Sequence, residues 1–153
     1  MRIILTLMLG FLALFGQAAE KRVVFDLVTG DLKRFEQIVL TATETHTSHY
    51  GALQQHYKAV FVIHGEAYRF FMKSLKGTRY EGDTLLLQRH EELAARLAEL
   101  AETYDVTFEA CSVGMRHRNI SEADLYPFVT PIFSAVAGLI EWQEKGYAYV
   151  PVK

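Results

Sequence analysis

Apolar residues in this chain gather into short unbroken runs, separated by stretches where they recur every three or four positions. The runs are Lys21 to Val28 (KRVVFDLV), Tyr57 to Ile63 (YKAVFVI), Val106 to Ala110, Phe128 to Phe133 and Tyr147 to Val150. Continuous runs of this length, rich in Val, Ile and Phe, predict strands buried on both faces. After the first run, Thr29-Gly30-Asp31 makes a turn with Asp31 as N-cap, and Leu32, Phe35, Ile38, Val39 and Ala42 fall on one helical face. The pattern weakens through TATETHTSHYG, which reads as a fraying helix end. Tyr68, Phe71, Met72 and Leu75, at i, i+3, i+4 and i+7, predict a short amphipathic helix, and Lys76 to Asp83 a loop rich in glycine and charge. A long helix is expected from about Thr84 to Tyr104. Its inward stripe is Leu86, His90, Leu93, Leu97, Leu100 and Ala101, and Glu91, Glu92, Arg96, Glu99 and Glu102 face water.

The second half is punctuated as clearly. A short helix follows Cys111 and ends at Asn119, a residue that tolerates the left-handed C′ conformation. Ser121-Glu122-Ala123-Asp124 has the form of a capping box. Pro131 places the fourth strand at an edge or marks its end. Ser134 caps a last helix carrying Val136, Leu139, Ile140 and Gln143, which Lys145-Gly146 stops. Strands alternating with helices predict one α/β domain, a three-layer α/β/α sandwich on a mostly parallel sheet. In such a sheet function gathers at the carboxyl ends of the strands. Four junctions meet there: Thr29-Gly30-Asp31, His64-Gly65-Glu66, Cys111-Ser112 and Ser134.

Composition narrows the classes. The 153 residues are half apolar with a formal net charge of −2, which provides no basic field for nucleic acid or an acidic membrane. The first 19 residues differ from the rest. Met1-Arg2 is followed by an uncharged apolar stretch from Ile3 to Phe15, then Gly16, Gln17, Ala18 and Ala19. This is the pattern of a signal peptide cleaved after Ala18 or Ala19, leaving residues 20–153 as the mature domain. The stretch is too short for a spanning helix, which needs about 20 residues. Retained, it would act as an anchor; removed, it implies a soluble periplasmic protein. The eighteen Phe and Tyr residues, with Phe70, Phe133 and Tyr149 expected to be exposed on a monomer, suggest an oligomer interface.

Cys111 is the only cysteine. Unpaired in an oxidising compartment, it is buried and inert, bridged to another chain, or used chemically. At the junction of strand and helix its sulfur would meet unpaired backbone N–H groups and the positive helix end, an arrangement that stabilises a thiolate. Arg116, His117 and Arg118 follow within seven residues and add positive potential; Arg116 and Arg118 are candidates to hold an anionic sulfur donor. Glu109 either shares the face of Cys111 or points away. His64 is a candidate polar partner of the sulfur, or a helix cap. His46, His49 and Glu44 lack a third firm ligand, so no metal is expected, and without GxGxxG, Walker or GxSxG patterns no cofactor or serine nucleophile is expected either.

The segment VTFEACSVGMRHRNI resembles the strand–Cys–helix segment of the DsrE/DsrF-like sulfur-relay proteins. RVVFDLVTGD, VFVIHGEA and SAVAGLIEWQEKGYAYVPVK resemble that family too, so the likeness spans roughly Arg22 to Lys153. It implies a flavodoxin-like five-stranded sheet, assembly as a trimer or hexamer, and a persulfide carried on the cysteine after the third strand, the place of Cys111. His64 and Gly65 match the His-Gly tip of the family's second strand. The site expected is therefore Cys111 as sulfur carrier with His64 as its polar partner, and Gly65, Ser112, Arg116 and Arg118 as binding residues. Such a protein is a sulfurtransferase-like relay component whose partners are sulfur donor or acceptor proteins or small sulfur compounds. Cytoplasmic acceptors of the better-understood relatives do not carry over to an exported chain. The rival reading is a non-catalytic oligomeric ligand-binding or assembly module in which Cys111 is structural.

Overall fold

The computed structural model describes residues 20–153, and the predicted signal peptide lies outside them. Five strands, β1 (Glu20–Leu27), β2 (His56–Ile63), β3 (Val106–Cys111), β4 (Val129–Ile132) and β5 (Ala148–Val152), form one sheet in the order β4-β3-β2-β1-β5. Every pairing is parallel. The sheet is therefore the five-stranded core of an α/β/α sandwich. Phe25, Phe61 and Phe108 share one register and stack across three strands, with centroids 4.6 and 5.6 Å apart. That aromatic row is the floor on which Phe71 and Phe128 pack, at 5.2 and 5.8 Å from Phe108.

Three successive crossovers from β1 to β4 step in one direction, and right-handed connections place their helices on one face. The return from β4 to β5 runs the other way, and its helix α5 (Ala135–Glu144) packs on β1, β2, β3 and β5. Asp26, Val62 and Glu109 share one register. The latter two lie against Gly138 of α5, where an added Cβ would strike Ile132. Glu109 accepts from the Trp142 indole at 2.8 Å, which answers the question of its direction: its charge is engaged with α5.

Two local expectations are corrected. The threonine- and histidine-rich stretch is not a fraying end. The helix starting at α1 (Leu32–Phe35) continues through a π-helical segment, Glu36–Ala42, into α2 (Thr43–Ala52). Thr45 and Thr47 donate to the carbonyls four residues back, and His46 and Tyr50 stack with Tyr57 of β2. The predicted helix over Tyr68 to Leu75 is only a 3₁₀ turn, Ala67–Phe70. Beyond it the backbone pairs with a distant loop instead of with itself: Met72 bridges Leu125, Lys73 N–H donates to Asp124, and Tyr126 N–H donates to Phe71. The predicted apolar residues are buried all the same.

The remaining helices follow the sequence reading. Ser134 caps α5 as expected, and the long helix α3 (Thr84–Thr103) starts where expected, with Asp83, read only as the end of a loop, as its cap. Asn119 takes the left-handed conformation at φ +54° after the short helix α4 (Ser112–His117), and Gly146 ends α5 at φ +84°. The Ser121–Asp124 capping box is formed around a 3₁₀ turn. Phe133 is 76 % exposed and Tyr149 is exposed as expected, but Phe70 is buried, stacked 4.0 Å from Phe35. Among the described residues no helix is long and apolar enough to cross a membrane.

Candidate functional site

The carboxyl edge of the sheet is built from the ends of β1, β2 and β3. Cys111 closes β3 and is at once the N-cap of α4, its sulfur accepting from Gly114 N–H at 3.4 Å. An extended N-cap residue ordinarily uses an oxygen for this; here sulfur does it, which turns the side chain back onto the first turn of the helix. Tyr68 donates its hydroxyl to the Cys111 carbonyl at 2.7 Å. That approach requires Gly114, because a Cβ there would collide with the Tyr68 hydroxyl. Burial, then the neighbouring Cys111, push the Tyr68 phenol above its ordinary range, so it is a donor throughout the physiological range. Cys111 itself is only 6 % exposed and belongs to the core.

Ile63 pairs with Ala110 as the last pair of β2 and β3, so His64 and Cys111 each follow directly on the end of that ladder. His64 N–H continues the ladder to Leu27 at 3.0 Å, and its ring Nε2 lies 2.5 Å from Asp26 Oδ1. The second Asp26 oxygen accepts from the Tyr149 hydroxyl at 2.8 Å. Asp26, buried in the apolar half of its strand, thus ties β1 to His64 after β2 and to Tyr149 near the start of β5. Gly65 takes φ +62°, and its missing Cβ makes room for Val28.

A basic cluster adjoins this edge. Glu66 faces three guanidiniums, Arg69 at 2.9 Å, Arg118 at 3.5 Å and Arg79 at 3.7 Å. Burial raises the Glu66 carboxyl, but the three arginines outweigh it and hold it below the usual carboxylate range. Arg118 also reaches the Gly114 carbonyl and lies over the Tyr68 ring, joining the cluster to the turn that holds Cys111. Gly30 completes the edge: a Cβ there would strike Glu66.

Of the residues expected in sequence, Cys111 and Ser112 lie at the end of β3, His64 and Gly65 follow β2, and Arg118 is joined to the Cys111 turn through Gly114. The His64 ring is bonded to Asp26, and the Cys111 sulfur is bonded to Gly114 N–H. Arg116 is exposed and takes no part in the cluster. Sequence reasoning missed Asp26, Tyr68, Gly114 and Tyr149. A carboxylate inside an apolar strand was the one visible signal for Asp26. Tyr68 and Tyr149 read as ordinary core and surface aromatics. Among the described residues no group of three or more metal-ligating side chains is present; Glu44 is paired with Arg96, and His46 is bonded to the Ala42 carbonyl.

Fold and site define a class: a single α/β/α domain on an all-parallel sheet, with one thiol at the carboxyl edge of an inner strand. Residues 23–152 match the DsrE/DsrF-like family, and the chain belongs to it. Membership implies sulfur relay as the role at the family level. An uncharacterized protein of Aquifex aeolicus is 30 % identical over 144 residues, covering 92 % of this chain and 60 % of the relative. The chain thus spans about 60 % of the length of that relative. A solved structure of a protein of unknown function, MTH1491 from Methanobacterium thermoautotrophicum, superposes with a TM-score of 0.61 at 20 % identity. It covers 86 % of this chain and 98 % of its own, and supports the fold alone.

Proposed function

We propose that this protein accepts and passes sulfane sulfur as a persulfide on Cys111. The observation that carries the reading is the position of Cys111 within a sulfur-relay family: strand end and helix N-cap at one point of the sheet edge. The sulfur anion attacks the outer sulfur of a donor R–S–SH. A bond forms between Cys111 Sγ and that sulfur, the R–S to sulfur bond breaks, and the electron pair leaves with the donor as R–S⁻. Cys–S–SH then yields its outer sulfur to an acceptor thiolate by the same exchange, restoring the sulfur anion. No net oxidation occurs. The Gly114 N–H lies where charge resides on the sulfur at each end of the cycle.

Intact mass after exposure to polysulfide tests this, with Cys111→Ser beside the parent chain. A reductant-labile gain of one sulfur, confined to the protein with Cys111, supports the carrier. A second reading has its own observation: Cys111 is buried, as a packing cysteine would be. If the native protein stays unmodified and reacts fully once denatured, the cysteine is structural and the ligand-binding or assembly module takes its place.

The leader-like N-terminal pattern supports export to the periplasm, and the N-terminal sequence of the protein recovered from a periplasmic fraction tests it. Self-association is supported by exposed apolar residues, Val136 and Ile140 on α5, Phe133 just before it and Tyr149 on β5. Sedimentation of Phe133→Asp/Ile140→Asp should give a smaller species than the parent; a monomeric parent would overturn an oligomer.

A further inference from the structure

The loop Lys76 to Asp83 has no part in the function argued above, yet it forms one wall of a polar recess of about 530 Å³. The opposite wall is the end of α4. Lys76, Arg79, Tyr80, His117, Arg118 and Asp124 are the charged and hydroxyl-bearing groups that line it, apart from Thr78 and Asn119. Three permanent cations thus face one carboxylate. One oxygen of that carboxylate, Oδ2, accepts from both the amide and the hydroxyl of Ser121 at 2.7 and 2.6 Å.

The other carboxylates nearby are engaged as well. Glu81 accepts from Gly77 N–H, Asp83 from Leu86 N–H and Arg69, and Glu66 is shared among three arginines. The cations lining the recess are much less satisfied. Among the described residues Lys76 has no ion pair, Arg79 has only the 3.7 Å contact, and both side-chain contacts of Arg118 sit at 3.5 Å.

A second observation points the same way. Four buried side-chain polar atoms among the described residues have no hydrogen-bond partner, and two of them, Tyr80 hydroxyl and Arg118 Nε, belong to residues that line this recess. Tyr80 is 3 % exposed, with the Arg69 and Arg79 guanidiniums over its ring at 4.7 and 5.7 Å. Both atoms can donate, and the Arg118 guanidinium stands close to the Tyr80 hydroxyl without forming a well-directed bond to it. Unpaired donors inside a fold are rare and mark an absent acceptor. An acceptor with several oxygens and negative charge answers the donors and the cations together.

We propose that this recess binds one small tetrahedral oxyanion, held by Lys76, Arg79 and Arg118 with Tyr80 at its wall. The inference does not require sulfur transfer at Cys111. Arg118 nevertheless joins the recess to the turn that holds the thiol, through the Gly114 carbonyl.

Isothermal titration of the full protein in chloride buffer, with sulfate, phosphate and thiosulfate in separate runs, tests it. One saturable site per chain is expected. Arg79→Gln and Lys76→Gln, both at exposed positions that should not disturb folding, are each expected to weaken binding about tenfold, the loss of one charge-assisted contact. Lys145→Gln, on the far end of α5, should bind as the parent does. Equal affinity for the three anions assigns a general oxyanion site, and preference for thiosulfate assigns a sulfur oxyanion. No saturable heat with any of them, or binding indifferent to both loop substitutions, overturns the proposal. Cys111→Ser should bind the anion unchanged, so failure of persulfide formation and failure of anion binding are read separately.

Discussion

Gly114→Ala tests the packing of the candidate site most directly. By helix propensity alone the substitution is favourable by up to about 1 kcal/mol. The structure predicts the opposite sign, because the new methyl would occupy the space of the Tyr68 hydroxyl, with ring atoms at 3.2 and 3.3 Å close behind. Tyr68 is fully buried and has two responses. It stays and is squeezed, at about 1–3 kcal/mol for overpacking. Or it withdraws and leaves its buried hydroxyl unpaired, at about 1–3 kcal/mol. These are alternatives and do not add; less the propensity gain, the net destabilisation is up to about 2 kcal/mol. Urea denaturation at matched m-values measures it. The same substitution in a Tyr68→Phe background meets only the two ring contacts and should cost about 1 kcal/mol less, a coupling that a double-mutant cycle resolves. A Gly114→Ala protein more stable than its parent, or an equal cost in both backgrounds, would refute the close approach of Tyr68 to the Cys111 turn.

Other outcomes follow from the same geometry. Burial holds the phenols of Tyr57 and Tyr126 up to about 12, and Tyr68 higher still, so the folded chain keeps protons that the unfolded chain loses near 10. This stabilisation is complete below pH 10 and is lost as pH rises towards 12; the urea midpoint should fall steadily over that window, and a flat profile would contradict the burial of these rings. Asp26→Asn weakens the ties of β1 to His64 and Tyr149 and should lower stability by about 1–2 kcal/mol, seen as a lower urea midpoint. An unchanged midpoint would mean that the Asp26–His64–Tyr149 contacts are incidental. Tyr80→Phe should leave the anion-free protein as stable as the parent or more so, because it deletes a buried hydroxyl that has no partner. A loss of more than about 1 kcal/mol would show that the hydroxyl is already satisfied without a ligand.

Strand positions, helix caps and the class of fold were all determined by the sequence alone. Asp31, Asp83, Ser121 and Ser134 each satisfy amides within three residues, and Asn119 and Gly146 adopt backbone angles that their own side chains permit or demand. Such interactions are local, so periodicity and residue type expose them. Tertiary structure decided what depends on distant partners. The threonine- and histidine-rich segment stays helical because its rings stack on a neighbouring strand. Phe71 to Leu75 abandons a good helical pattern because its backbone pairs with residues some fifty positions away. The candidate site divides in the same way. Cys111 and His64 were legible as the residues ending two strands. Asp26 and Tyr149 lie 38 and 123 positions from the partners they bind or are bound by, and Glu66 stands 52 from Arg118. Only the order of the strands, with β1 between β2 and β5, carries those groups into contact, and no local spacing encodes that order.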